Sequence, residues 1–232
     1  ISASDPDGDT VTYSLSGSDA SSMSINSSSG VLTFNSSPDY ETKSSYSATV
    51  TASDGTDSTS QAITVSVTDV DDVAPVFTSS ATFSAAENQT AIGTVTATDV
   101  DTDNSSITFS ISGSDLSITS AGVLTFASAP DYETKSSYTA TVTASDGTNS
   151  ATQNITVNVT NVNDNTPSIT SSATFSAAEN QTAIGTVTAT DADGDTVTYS
   201  LSGSDASSMS INASSGVLTF SSAPDYETKS SY

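Results

Sequence analysis

The chemistry of this chain rests with its carboxylates. Asp39-Tyr40-Glu41 recurs as Asp131-Tyr132-Glu133 and again as Asp225-Tyr226-Glu227, at offsets of 92 and 94 residues (131 − 39 and 225 − 131). Other acidic segments recur around it in a fixed order: before it, DxD runs at Asp5 and Asp7, Asp99 and Asp101, Asp191 and Asp193; after it, Ser-Asp-Gly at Asp54 and Asp146, an acidic linker, and Ala-Glu-Asn at Glu87 and Glu179. Each lies beside a run of alternating apolar residues, where a strand should end, so carboxylates from several loops can converge on one place. Converging carboxylates repel one another by about 1 kcal/mol per pair at 4 Å even in water. A hard cation relieves that repulsion, and Ca2+, with roughly six to eight oxygen ligands, suits an all-oxygen donor set.

Composition removes most alternatives. The 232 residues hold 27 Asp or Glu against three Lys, a formal net charge of −24, so nucleic acid and anionic membranes would repel the chain. Cys, His, Trp and Arg are absent, which excludes thiol chemistry, imidazole bases and the usual zinc sites. The DPDGD run at Asp5–Asp9 is not an EF-hand loop, which needs Gly at its sixth position and Glu at its twelfth, where this chain has Thr10 and Ser16. The Asp39 and Glu41 pair could in principle serve a glycosidase. With 6% aromatic residues, mostly in the strand pattern, no sugar platform is left over, and the expectation is a protein that is not an enzyme.

The elements that must position the acids are strands. Apolar residues alternate at Val11–Leu15, Tyr46–Val50 and Ile63–Val67, and again at Ile107–Ile111, Tyr138–Val142 and Ile155–Val159, with Ser and Thr facing water. Ser29-Gly30, Asp54-Gly55, Pro75 and Pro167 punctuate them. About seven short strands in roughly 90 residues make a two-sheet sandwich. The period divides the chain into a partial repeat at 1–74, a complete one at 75–166 and a second partial one at 167–232. Phe34, Tyr40 and Tyr46 keep register with Phe126, Tyr132 and Tyr138, which a disordered chain of this composition has no reason to do. Residues 7–26 are identical to 193–212, so the parent protein is expected to carry many near-copies, with targeting and anchoring segments outside this stretch. No apolar run is long enough to span a membrane.

These residues resemble a cadherin repeat. In the middle one, Phe83–Asn88 (FSAAEN) is similar to the family's early Glu motif, Asp99-Val100-Asp101 to its DxD, and Pro130–Glu133 to its LDYE or LDRE. Ala144–Gly147 is similar to its ATDGG segment and Asn161–Pro167 to DxNDNxP. The DPDGDTVTYSLSG and GVLTF segments resemble the cadherin-like tandem repeats of long bacterial surface adhesins and extracellular filaments. The resemblance implies an all-β chain of tandem Ig-like, Greek-key sandwiches arranged as a linear rod, with about three Ca2+ ions at each junction. For the junction of the middle and last repeats it implies Glu87, Asp131, Glu133, Asn163, Asp164, the Asn165 carbonyl, Asp191 and Asp193 as ligands. For the first junction it implies Asp39, Glu41, Asp71, Asp72, Asp99, Asp101 and Asp146. The same motif positions recur at Asp5, Asp7 and Asp54 of the first repeat and Glu179, Asp225 and Glu227 of the last. Asp69 and Asn161, at the first linker position, differ in a way that would tune affinity, and Asp9, Asp103 and Asp195 depart from the motif as ligands. Without Trp, the strand-swapped adhesion of vertebrate cadherins has no support.

The expected function is structural and adhesive: an extracellular, bacterial-surface stalk or filament body stiffened by Ca2+, for which ice, host cells and sibling bacteria are equally suitable targets. A second reading makes the repeats a Ca2+-dependent carbohydrate- or protein-binding module, with Tyr40, Tyr132 and Tyr226 as the repeated aromatic candidates. A third is lateral bundling through an uncharged edge such as Ala91–Thr98. Lys43, Lys135 and Lys229, each in ETKSSY, are expected to make screened surface ion pairs rather than covalent bonds to Asn.

Overall fold

The structure, a computed structural model, describes residues 1–101 and 104–232, without the Ser105 side chain; Asp103 therefore lies outside the described residues. The described chain is nearly all β. The first repeat contains β1 (Thr12–Ser16), β2 (Met23–Ile25), β3 (Leu32–Phe34), β4 (Ser45–Ser53) and β5 (Ser58–Ser66). The middle repeat contains β6 (Val76–Phe77), β7 (Thr82–Ala86), β8 (Ala91–Thr94), β9 (Ala97–Thr98), β10 (Thr108–Ile111), β11 (Leu116–Ile118), β12 (Val123–Phe126), β13 (Ser137–Ser145) and β14 (Ser150–Thr160). The last contains β15 (Ser168–Ile169), β16 (Ala183–Thr186), β17 (Ala189–Thr190), β18 (Met209–Ile211) and β19 (Val217–Phe220). Every alternating run seen in the sequence lies in or overlaps a strand, and no sheet among the described residues mixes strands of different repeats.

The middle repeat shows why alternation specifies a sandwich. One sheet has the order β10-β13-β14-β7, antiparallel except that β7 runs parallel to β14. The other has the order β11-β12-β8, leaving β8 on an edge. Inward residues of both sheets meet in one core: Ala85, Val95, Leu116, Leu124, Phe126, Val142, Ile155, Val157 and Val159, with Tyr132 and Tyr138 packed against it. The uncharged edge at Ala91–Thr98 is broken, because Val95 turns fully inward between β8, which pairs with β12, and β9, which pairs with β6. Thr174–Ala178 repeats the sequence of β7.

The lysines do more than the sequence suggests. Lys43, Lys135 and Lys229 pair with Asp19, Asp115 and Asp205, and each ammonium also lies over a tyrosine ring, 4.8, 4.1 and 4.6 Å from the centroids of Tyr46, Tyr138 and Tyr232. The partner is Asp in every repeat, not Asn. The Lys43 ammonium, followed by the Ser47 N–H at 2.8 Å, holds the Asp19 carboxyl below its ordinary value of 3.8. A depressed folded value means that the contact stabilises fully above pH 3.8 and that this contribution is lost as pH falls through the lower folded value. Acid unfolding should therefore show the parent more stable than Lys43→Met at neutral pH, with the gap closing below pH 3.8; a gap independent of pH would assign the effect to ring stacking alone.

Candidate metal centre

The turn that carries Asp131 and Glu133 is built by its own residues. Asp131 Oδ1 accepts the Thr134 N–H at 3.2 Å and its Oδ2 accepts the Thr134 hydroxyl at 2.9 Å. The Thr134 hydroxyl, then the Thr134 N–H, keep the Asp131 carboxyl ionised below its usual range, and Thr42 does the same for Asp39 and Thr228 for Asp225. Closing this turn fixes the direction of Glu133. The Glu before Asn88 comes from the end of β7, where Asn88 takes a left-handed backbone (φ 63°). Glu87 is the buried charged residue of the described chain, 3% exposed. Its Oε2 accepts the Tyr132 N–H and its Oε1 the Val162 N–H, both at 2.7 Å, so one carboxylate ties the DYE turn to the linker.

At the second junction this arrangement brings Glu87, Glu133, Asp164 and Asp193 together, with one oxygen of each within 4.8 Å of the others. Asp193 enters from the next repeat, and its Oδ2 accepts the linker N–H groups of Asp164 and Asn165 at 3.1 and 2.8 Å. Burial first, then the charges of Glu87, Asp193 and Asp131, push the Glu133 carboxyl up. The Asn165 amide, ahead of the linker N–H groups, holds Asp193 down. Asp191, Asp193 and Asp195 form a second group, and Asn163 donates to Asp195.

The first junction repeats the plan with different residues. Asp101 Oδ2 accepts the Asp72 and Val73 N–H groups at 3.1 and 2.7 Å. Glu41, Asp69 and Asp101 converge within 4.8 Å. Glu41 is drawn down by its own backbone N–H, but burial and the contact with Asp101 outweigh this and push its carboxyl up to about 7. Asn149 donates to both the carbonyl and the carboxylate of Asp71 at 3.2 Å. Asp101 Oδ1 and Asp146 Oδ2 are buried oxygens that accept no hydrogen bond. Orphaned carboxylate oxygens beside other acids are costly to bury, and a hard divalent cation is the partner that satisfies them.

The acids named from the sequence are thus distributed unevenly. Glu87, Glu133, Asp164 and Asp193 share one cluster, and Glu41 and Asp101 another. Glu179, Asp225 and Glu227 form a group in the last repeat. Asp39 and Asp131 spend oxygens on their own turns. Asp5 accepts the N–H groups of Asp7 and Asp9, and Asp54 those of Thr56 and Asp57. Asp69, at the first linker position, and Asp195, which departs from the motif, also join clusters. Their signal is position: each is spaced two residues from an acid already chosen, so on an extended segment both point the same way.

Residues 81–160 match the family model described as the cadherin domain. The middle repeat is a cadherin domain. Residues 1–68 match a second family model, described as a putative Ig domain, in keeping with the shared sandwich architecture. Human Protocadherin Fat 4 is 36% identical over 182 residues, which cover 72% of this chain and 4% of that protein. Cadherin-99C of Drosophila melanogaster is 32% identical over 247 aligned positions, covering 99% of this chain and 14% of the relative. The chain therefore spans a small part of these cadherins. Among solved structures, mouse Cadherin-23 EC22-24 superposes with a TM-score of 0.78 at 28% identity, over 97% of this chain and 81% of that one. The Protocadherin gammaB7 EC3-6 cis-dimer structure gives 0.76 at 29% identity, over 96% and 62%. The tandem, Ig-like sandwich fold is that of these cadherin domains, and no helix among the described residues is long and apolar enough to cross a membrane.

Proposed function

We propose that this chain is part of an extracellular adhesive stalk whose cadherin domains are locked end to end by Ca2+. The carrying observation is the cluster of Glu87, Glu133, Asp164 and Asp193, which draws on two loops of the middle repeat, the linker and the next repeat within 4.8 Å. A cation held by ligands from both sides of a joint makes metal binding and joint geometry one equilibrium. Glu87, Glu133, Asp164 and Asp193 would hold the ion at the second junction, and Glu41, Asp69, Asp101 and Asp146 at the first. The bound ions supply charge neutralisation; the protein's own part is to orient the carboxylates through the Thr134 and Thr42 turns. The hinges are Val73–Val76 and Asn165–Ser168, between repeats at 1–74, 75–166 and 167–232. The near-copies at 7–26 and 193–212, with no Cys, support a long repetitive bacterial surface adhesin or filament body as the parent. The cis-dimer of Protocadherin gammaB7 EC3-6 supports lateral pairing of such stalks.

Calorimetric titration of the chain with Ca2+, with small-angle scattering before and after, tests the reading. Binding at roughly 0.1–1 mM, the range of extracellular modules, should come with a longer and less flexible particle. No heat and unchanged scattering would leave the acids as surface charge.

A further inference from the structure

The two junctions bring the same pair of acids together by different means. At the first, Glu41 and Asp101 approach each other directly, and the position corresponding to Asn165 is Val73, 36% exposed and without a side-chain donor. At the second, the counterparts are Glu133 and Asp193, and the Asn165 amide lies between them. Its Nδ2 donates to Glu133 Oε2 at 3.3 Å, to Asp193 Oδ1 at 3.0 Å and to its neighbour Asp164 Oδ1 at 2.8 Å. Three carboxylates from the DYE turn, the linker and the next repeat thus converge on one neutral donor. An amide nitrogen has only two N–H groups, so one of these contacts is shared. Two more linker amides reach the same side: Asn161 donates to the Asp193 carbonyl at 2.9 Å, and Asn163 to Asp195. The matching residues of the first linker are Asp69 and Asp71, which cannot donate from an ionised side chain.

We propose that Asn165 is a staple that closes the second junction without metal, so that the two joints of this chain answer unequally to Ca2+. The inference deepens the metal-locked reading and rests on it for the first joint alone. The linker carries Asp69, Asp71 and Asp72 at the first joint and only Asp164 at the corresponding second, so removing cations leaves more uncompensated charge at the first. Asn149 offsets part of this by holding Asp71, but it engages no acid of the Glu41 and Asp101 pair. Val73 offers its backbone N–H to Asp101, as Asn165 does to Asp193, and nothing reaches from it toward Glu41. Asn161 and Asn163 also tie the linker to the next repeat, but the contact that joins the Glu133 and Asp193 pair is made by the Asn165 side chain.

Because the chain has no Cys, spin labels can be placed at will. Labels at Thr33→Cys and Ser117→Cys report the first joint, and at Ser117→Cys and Ser210→Cys the second; all three positions are exposed strand residues. In chelator, the second joint should show the narrower distance distribution. Asn165→Val should broaden it toward the width of the first joint in chelator, with Asn161 and Asn163 still in place, and leave it narrow in Ca2+, while Val73→Asn should narrow the first joint in chelator. If Asn165→Val leaves the second joint unchanged in chelator, or if both joints are equally broad there, the staple is overturned. Failure of Ca2+ to narrow the first joint would instead overturn the metal-locked reading, independently of the chelator comparison.

Discussion

Replacing Glu87 with Ala should destabilise the middle cadherin domain by about 1–3 kcal/mol even in the absence of Ca2+, because the half-buried Tyr132 N–H loses a partner worth roughly that much, while the Val162 N–H, on an exposed residue, turns to water. Glu87 is 3% exposed, so water does not readily replace it at Tyr132, whereas Val162 is 41% exposed. Glu87→Gln keeps one acceptor oxygen but turns an NH2 toward one of the two donors, so it should lose about half as much. Denaturant unfolding in chelator measures both, and hydrogen exchange at Tyr132 and Val162 localises the loss. A loss under about 0.5 kcal/mol, as for an ordinary surface substitution, would show that Glu87 serves only as a ligand. Adding Ca2+ separates the roles: a structural carboxylate affects stability in both conditions, and a ligand widens the difference between them.

How much of this was legible in the sequence depends on the range over which each residue acts. The sandwich was readable because alternation is a local signal: Tyr138, Ala140 and Val142 must share a face whatever lies opposite. The DYE turn was readable for the same reason, since Asp131 and Thr134 close it within four residues. What Asp131 does there was not. The spacing marks it as a site acid, and only the hydrogen bonds show both oxygens engaged by the Thr134 backbone and hydroxyl. Asp69 stands at the first linker position of the motif, but its meeting with Glu41 and Asp101, on opposite sides of the joint, is not carried by sequence spacing. The motif marks Asn165 for its carbonyl, while its side chain occupies the middle of the carboxylates.

The lysines teach the same lesson from the surface. Lys43 stands 24 residues from Asp19, and nothing in ETKSSY signals that pairing. The tyrosine three residues on was visible, but its ring direction is set by the edge contact with Phe34, 5.0 Å between centroids, which comes from another strand. Phe126 with Tyr138 and Phe220 with Tyr232 repeat the contact at 5.1 Å, so each lysine finds its aromatic face already oriented. Exposed ion pairs of this kind are worth little singly. Here the same lysine also tethers the end of the DYE turn to the loop before β2, β11 or β18, which a count of surface charges would miss.

Gly122→Ala should cost about 3 kcal/mol or more, whereas Gly113→Ala should cost about 1–2 kcal/mol, although both glycines have the same left-handed φ of +85°. The strain of placing a Cβ at positive φ is common to the two. At Gly113 the new carbon meets nothing within 4 Å, so strain is the whole effect. At Gly122 it would lie 2.2 Å from the Val95 carbonyl oxygen and 3.3 Å from the Phe109 ring. That carbonyl cannot withdraw cheaply, because Val95 is fully buried and its N–H donates to the Gly122 carbonyl at 2.9 Å. Relief would require β12 to part from β8, opening the core around Leu124. The same approach recurs at Gly30, 2.4 Å from the Ile1 carbonyl, and at Gly216, 2.1 Å from that of Val187, so the clash belongs to the repeat rather than to one loop. Thermal or denaturant unfolding of the two variants side by side reads the difference directly. Equal losses would mean that the strand pair yields, and that positive φ alone selects glycine at the turn before β12.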